Sequence, residues 1–211
     1  MLNIALSSAS IIFFCAYLVF TTYIYKKENG ETYLFRNSFP FELWIKRSRP
    51  YAFINILLFT SCALGFASYL TFSINEFSVN NTLISFYALV GIFGVLTLFY
   101  IPPYKLKAFL IFAIITSIAG AALNFQMIFI IFKDLEFKES VMFYIVLILS
   151  LILGIVSLLG SFFVKVEDLK MLKDETGSLI RPKRIAMAIF EWLIILSIFL
   201  SQLSLVLYIL G

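Results

Sequence analysis

Long apolar runs separated by short polar connections cover most of the chain. They lie at roughly 2–25, 51–73, 82–102, 107–132, 141–164 and 185–210. Each reaches the ~20 residues a helix needs to cross a hydrocarbon core of about 30 Å. The pattern predicts an all-α integral membrane protein: six transmembrane helices in three hairpins, forming a single membrane domain over residues 1–211. The longest connections, 26–50 and 165–184, are too short to bury cores of their own.

Inside the runs, small and polar residues recur at spacings of three and four, which place them on one helix face. The first run carries Asn3, Ser7, Ser10, Tyr17 and Thr21, and the second Ser61, Gly65 and Ser68. The third has Gly91 and Gly94, and the fourth Ala113, Ser117, Gly120 and Asn124. The fifth has Ser150, Gly154, Ser157 and Ser161, and the last Ser197, Ser201, Ser204 and Tyr208. Helices in lipid associate through close packing and interhelical hydrogen bonds, so these stripes predict the contact faces of a tight bundle. Ala119, Ala122 and Gly160 fall off the main stripes, which suggests spare faces for a partner helix.

The connections carry their own signals. Asn29-Gly30 fits a type I′ turn and predicts a small β-hairpin in the first connection. Residues 173–181 repeat its order of charge, glycine turn, hydroxyl, apolar pair and arginine, and suggest a second hairpin. Phe39 to Arg47 mixes aromatic and basic residues and is expected to lie among lipid headgroups.

Composition agrees with the pattern: 62% of the 211 residues are hydrophobic and 13% charged. The chain has no histidine, which removes the commonest metal ligand and general base. Cys15 and Cys62 lie inside apolar runs and read as small buried residues. No cofactor or metal is implied. The first run lacks a preceding basic segment and reads as a retained helix, not a cleaved leader.

The net charge of +4 reflects topology, not nucleic-acid binding. Basic residues concentrate in the first connection (Lys26, Lys27, Arg36, Lys46, Arg47, Arg49), the third (Lys105, Lys107) and the fifth (Lys165, Lys170, Lys173, Arg181, Lys183, Arg184). The second has none and the fourth only Lys133 and Lys138. The bias toward positive loops inside places connections one, three and five in the cytoplasm and both termini outside, in a cell membrane. Tyr23, Tyr25, Trp44, Tyr51, Tyr100, Tyr104 and Trp192 fall near the same side, as an interfacial aromatic belt would.

Polar residues within the spans are the candidate functional groups. Glu191 is the one ionisable residue placed among them, about 10 Å past Arg184 at 1.5 Å per residue. At that depth a charge is costly unless it is paired, protonated or wetted; Arg184, on the same face, and water at shallow depth are candidate relief. Gln202 shares the face of Glu191. Asn55, Asn124 and Gln126 are further intramembrane amides, and together these five suggest either a polar track or separate helix-pairing points. Arg36, Trp44, Lys46, Arg47, Arg49, Arg181, Lys183 and Arg184 form a candidate docking or headgroup-binding surface.

The sequence has no phosphate-binding glycine loop, no nucleophile elbow and no paired carboxylates within a span. The expected role is therefore non-enzymatic: a structural or partner-binding subunit of a membrane complex, in contact with lipid and with other membrane proteins or copies of itself. The alternative is a small ion or solute transporter or channel using Glu191. An enzyme acting on lipid headgroups through Glu191 or loop carboxylates and the basic clusters ranks third.

Overall fold

Each apolar run forms one long helix in a computed structural model that describes residues 1–36, 38–44, 53–75, 79–101, 106–162 and 186–211. The helices are α1 (Leu2–Asn29), α2 (Asn55–Asn75), α3 (Val79–Tyr100), α4 (Leu106–Lys133), α5 (Val141–Phe162) and α6 (Ala186–Leu210). Among the described residues the connections include 3-10 turns at Pro40–Leu43 and Phe137–Glu139. All six helices are long and apolar enough to cross a membrane. Among the described residues there is no strand.

Helices α1 to α5 pack in chain order, each against the next, and α6 closes the circuit between α5 and α1. It also leans inward to meet α2, α3 and α4, so α6 is the core helix of the bundle. Its buried face includes Glu191, Ile194, Ile195, Ile198, Phe199 and Gln202. Large apolar residues such as Ile12, Phe86, Phe93, Ile111, Phe129 and Ile148 point outward, as lipid contact requires.

Apart from the half-buried Tyr208, the described residues of the small and polar stripes are buried between the helices. The α1/α2 seam is stitched by hydroxyls: Ser7 and Ser68 are 2.5 Å apart. Ser10 and Ser61 each donate to the other's backbone carbonyl at 2.7 Å. Farther along, Thr71 donates to Asn3 Oδ1 at 2.9 Å. Ser73 bonds Ser85 and the Asn81 carbonyl across α2 and α3. Ser117, Ser157 and Ser197 form a relay joining α4, α5 and α6. The Tyr69 hydroxyl lies 2.6 Å from Ser201 and ties α2 to α6. Interhelical bonds of this kind contribute about 0.6 kcal/mol each in lipid.

The glycines mark where helices approach most closely. A Cβ on Gly91 would sit 3.4 Å from Ile198, and one on Gly160 would sit 2.5 Å from the same helix's Ile194. On Gly120 it would meet Ser157 at 2.8 Å and Ile198 at 3.1 Å. The faces expected to be spare are thus occupied: Gly160 seats Ile194, and Ala119 is buried facing Gly91. The third off-stripe residue, Ala122, is half-buried.

The hairpin expected at Asn29-Gly30 does not form. Helix α1 runs on to Asn29, and Gly30 ends it in the left-handed conformation (φ 73°), its N–H donating to the Lys26 carbonyl at 3.0 Å. The same Asn-Gly pair serves a helix C-cap as well as a type I′ turn, because both need positive φ. Lys26 and Lys27 in the last turn favour the helix, since cations there offset the helix dipole. The similar segment 173–181 lies outside the described residues.

Gly94 offers a test of the packing. A Cβ there would lie 2.7 Å from the Thr116 Cβ, which is fixed to the α4 backbone. On Gly65 it would chiefly meet the amide end of Gln202, a flexible side chain, at 2.6 Å. Gly94→Ala should therefore cost about 1–3 kcal/mol, as overpacking does, and Gly65→Ala less. Thermal unfolding midpoints in one detergent check the order; equal midpoints would contradict the packing described.

Candidate functional site

After Gly30 the chain turns back over the end of the bundle. Loop 1, residues 30–54, is described over 30–36, 38–44 and 53–54. Tyr33, Ser38, Phe39, Pro40 and Leu43 are buried there. The 3-10 turn is prepared by Pro40, whose ring presets φ, and by the Glu42 carboxylate, which accepts from the Phe39 N–H at 2.9 Å. Leu43 is fixed by the Tyr17 hydroxyl, which donates to its carbonyl across 3.4 Å.

Trp192 is the anchor for this loop on α6. Its Nε1–H donates to the Ser38 carbonyl at 3.0 Å and to the Tyr33 hydroxyl oxygen at 3.2 Å. The Tyr33 hydroxyl in turn donates to the carbonyls of Ser38 at 3.0 Å and Phe39 at 2.8 Å. Edge-to-face rings of Tyr33, Phe35 and Phe99 surround the indole at 4.8–6.0 Å. Burial, and then the nearby Glu42 charge, hold the Tyr33 phenol well above its usual range, so it remains a neutral donor.

Two expectations change here. Trp192 is not part of an interfacial belt: it is buried, because its N–H is needed to satisfy loop carbonyls. The Phe39–Leu43 stretch faces the bundle and not the headgroups, because its aromatic and apolar side chains find a pocket among α1, α3 and α6. Of the other aromatic residues at this end, Trp44 packs edge-on against Phe59 at 5.9 Å and Tyr100 at 5.8 Å.

Glu191 sits one residue before the anchor. It is 2% exposed, and neither carboxylate oxygen has a hydrogen-bond partner among the described residues. Its position near the start of α6 therefore does not leave it on the surface. Tyr33 is within electrostatic reach. Asn55, also buried, is at the same depth: α2 and α6 run the same way and touch at Gly65 and Gln202, and each residue lies about three turns before that contact. Arg184, the expected pairing partner, is outside the described residues.

The remaining amides do not join Glu191 in a track. Gln202 is fully buried between Gly65 and Ser10, with neither amide atom partnered among the described residues. Ile195 and Ile198 lie between it and Glu191 on the same face. Asn124 donates to the Gly120 carbonyl of its own helix at 2.8 Å. Gln126 is half-buried on α4. Of the expected docking residues, Arg36 is exposed and Trp44 half-buried. Lys46, Arg47, Arg49, Arg181, Lys183 and Arg184 lie outside the described residues.

Among the described residues no group of three or more Cys, Asp or Glu side chains is placed to hold a metal. The arrangement brings together one sealed carboxyl, one buried amide and one clamped loop at one end of a bundle. No family model, curated protein or solved structure matches the chain.

The clamp predicts a selective weakness. Trp192→Phe keeps an aromatic ring but removes the donor to Ser38 and Tyr33, at a cost of about 1–3 kcal/mol in loop seating. Limited proteolysis of nanodisc-embedded protein should cut between residues 31 and 44 on the order of tenfold faster, at 1.4 kcal/mol per decade, while helical content stays unchanged. Cleavage at the wild-type rate would show that Trp192 does not hold the loop.

Proposed function

We propose that this multi-pass membrane protein is a non-catalytic subunit that works by packing against other membrane proteins or copies of itself, with loop 1 as its presented face. The observation that carries this reading is the filled axis. Helix α6 leans into the circuit, with Ile194 seated on Gly160 and Ile198 on Gly91 and Gly120. Loop 1 covers one end. A bundle built this way invests its interior in packing, which suits a scaffold better than a pore.

In this reading the first, third and fifth connections face the cytoplasm, since they hold most of the lysine and arginine. The exposed Arg36, together with Lys46, Arg47 and Arg49 later in the loop 1 sequence, then gives the loop a cationic character suited to a partner or to anionic lipid.

A second reading, transport, draws on one observation: the sealed carboxyl of Glu191. Intramembrane ionisable groups mark ion or proton pathways in many membrane proteins.

The readings separate experimentally. A photo-crosslinker at Arg36, in protein kept in its native membrane, should capture one recurring membrane protein in stoichiometric yield. Protein in liposomes should show no flux of protons, sodium or potassium above empty vesicles. Flux that Glu191→Gln abolishes without loss of folding, with lipid alone crosslinked at Arg36, would replace the subunit reading with transport.

A further inference from the structure

We propose that Glu191 is a membrane-embedded proton-binding site, and that its occupancy is coupled to the seating of loop 1. The inference goes beyond both readings above, because it concerns a ligand, the proton, and a moving part that either role can use.

With residues 31–36 and 38–44 folded back over this end of the bundle, Glu191 is 2% exposed and neither carboxylate oxygen is hydrogen-bonded among the described residues. A bare carboxylate in such a place costs several kcal/mol, because no described side chain replaces its hydration. A bound proton removes the charge and with it that cost. With the loop lifted, water reaches the carboxyl and the charged form is no longer penalised.

The closed form therefore binds the proton more tightly than the open form. By linkage, the proton favours closure to the same degree. The structure also supplies a route for the coupling. Trp192, the next residue, carries the loop's hydrogen bonds to Ser38 and Tyr33, so movement of the loop away from Trp192 uncovers the site beside it.

Among the described residues no group is hydrogen-bonded to the carboxyl. At this end, α1 contributes Tyr17 and Tyr25, loop 1 Tyr33 and Glu42, α3 the exposed Tyr100 and α4 the exposed Lys107. Helix α2 places Asn55 at this depth and Cys62 about two turns deeper. The described part of α5 holds no titratable side chain near this end. Glu42 is engaged by the Phe39 N–H. Lys26, Lys27, Glu28, Glu31 and Arg36 are exposed on the rim.

The test follows loop opening against pH. In a Cys15→Ser/Cys62→Ala background, Ser38→Cys places a thiol in the buried part of the loop and Glu31→Cys an exposed reference. Both are labelled with a polar maleimide in nanodiscs, and the ratio of rates cancels the intrinsic pH dependence of thiol chemistry. As pH rises above the ordinary carboxylate range the ratio should rise, by up to about tenfold per unit, the limit for one proton. With Glu191→Gln it should stay low and flat, because the amide is neutral throughout.

Dicyclohexylcarbodiimide gives a second readout on the unsubstituted chain. The reagent adds to protonated carboxyls in apolar surroundings, and modification of Glu191, read by mass spectrometry, should fall over the pH range in which the loop opens. The proposal is overturned by a flat ratio in the glutamate form, by the same pH profile in Glu191→Gln, or by carbodiimide labelling that does not change with pH.

Discussion

Lipid gives two helices no hydrophobic reason to meet, because hydrocarbon solvates their apolar faces as well as a partner does. What holds this bundle is close backbone approach and hydroxyl bonding, and both converge on α6. Glycines on α3, α4 and α5 open the space that Ile198 and Ile194 fill, and Gly65 on α2 admits Gln202. Ser197 and Ser201 link the helix to α5 and α2. Every neighbour is thus fitted to one central helix, and the circuit of α1 to α5 closes because α6 is there to be packed against.

Both ends of α6 are also tied to connections. At one end Trp192 holds loop 1. At the other, the Tyr208 hydroxyl donates to Asp134 at 2.8 Å, its ring meets Phe137 at 4.8 Å, and Asp134 accepts from the Phe137 N–H. A buried loop is ordinarily costly, since its backbone groups lose water without gaining a ladder. Loop 1 meets that cost with side-chain partners: the indole and the Tyr33 phenol bond the Ser38 and Phe39 carbonyls, and Tyr17 bonds that of Leu43.

The helices and their inward faces were legible in the sequence because lipid imposes simple rules. A span must be long and apolar, and its contact face must be small. Asn3, Ser7, Ser10, Tyr17 and Thr21 follow those rules and are all buried on one side of α1. Glu191 stood out because charge is rare in such a span. Loop 1 was not legible. Asn29-Gly30 fits two kinds of turn, and only the dipole-matched lysines before it favour the helix. Tyr33, Phe39 and Leu43 carry no period to show which way they point. The one hint was that Phe35, Phe39 and Phe41 make this connection unusually apolar for a water-facing segment. Trp192 was misread for a related reason: position near a helix end suits an interfacial indole and a buried clamp equally well.

The energies at the sealed end are of one order. Trp192, Tyr33 and Tyr17 contribute a handful of hydrogen bonds to loop 1, each worth about 1 kcal/mol net, with aromatic contacts adding about 0.5–1.5 kcal/mol per pair. An unpaired charge at Glu191 costs several kcal/mol. The interaction that closes the loop and the penalty that closure imposes on the carboxylate are thus comparable, so one protonation event is large enough to shift the loop's equilibrium. Nothing of the sort holds farther along α6, where Ile194 and Ile198 meet glycines and a change of the same size would have no loop to act on. A single carboxyl beneath a clamped loop concentrates responsiveness at one end of a bundle whose remainder is fixed by packing.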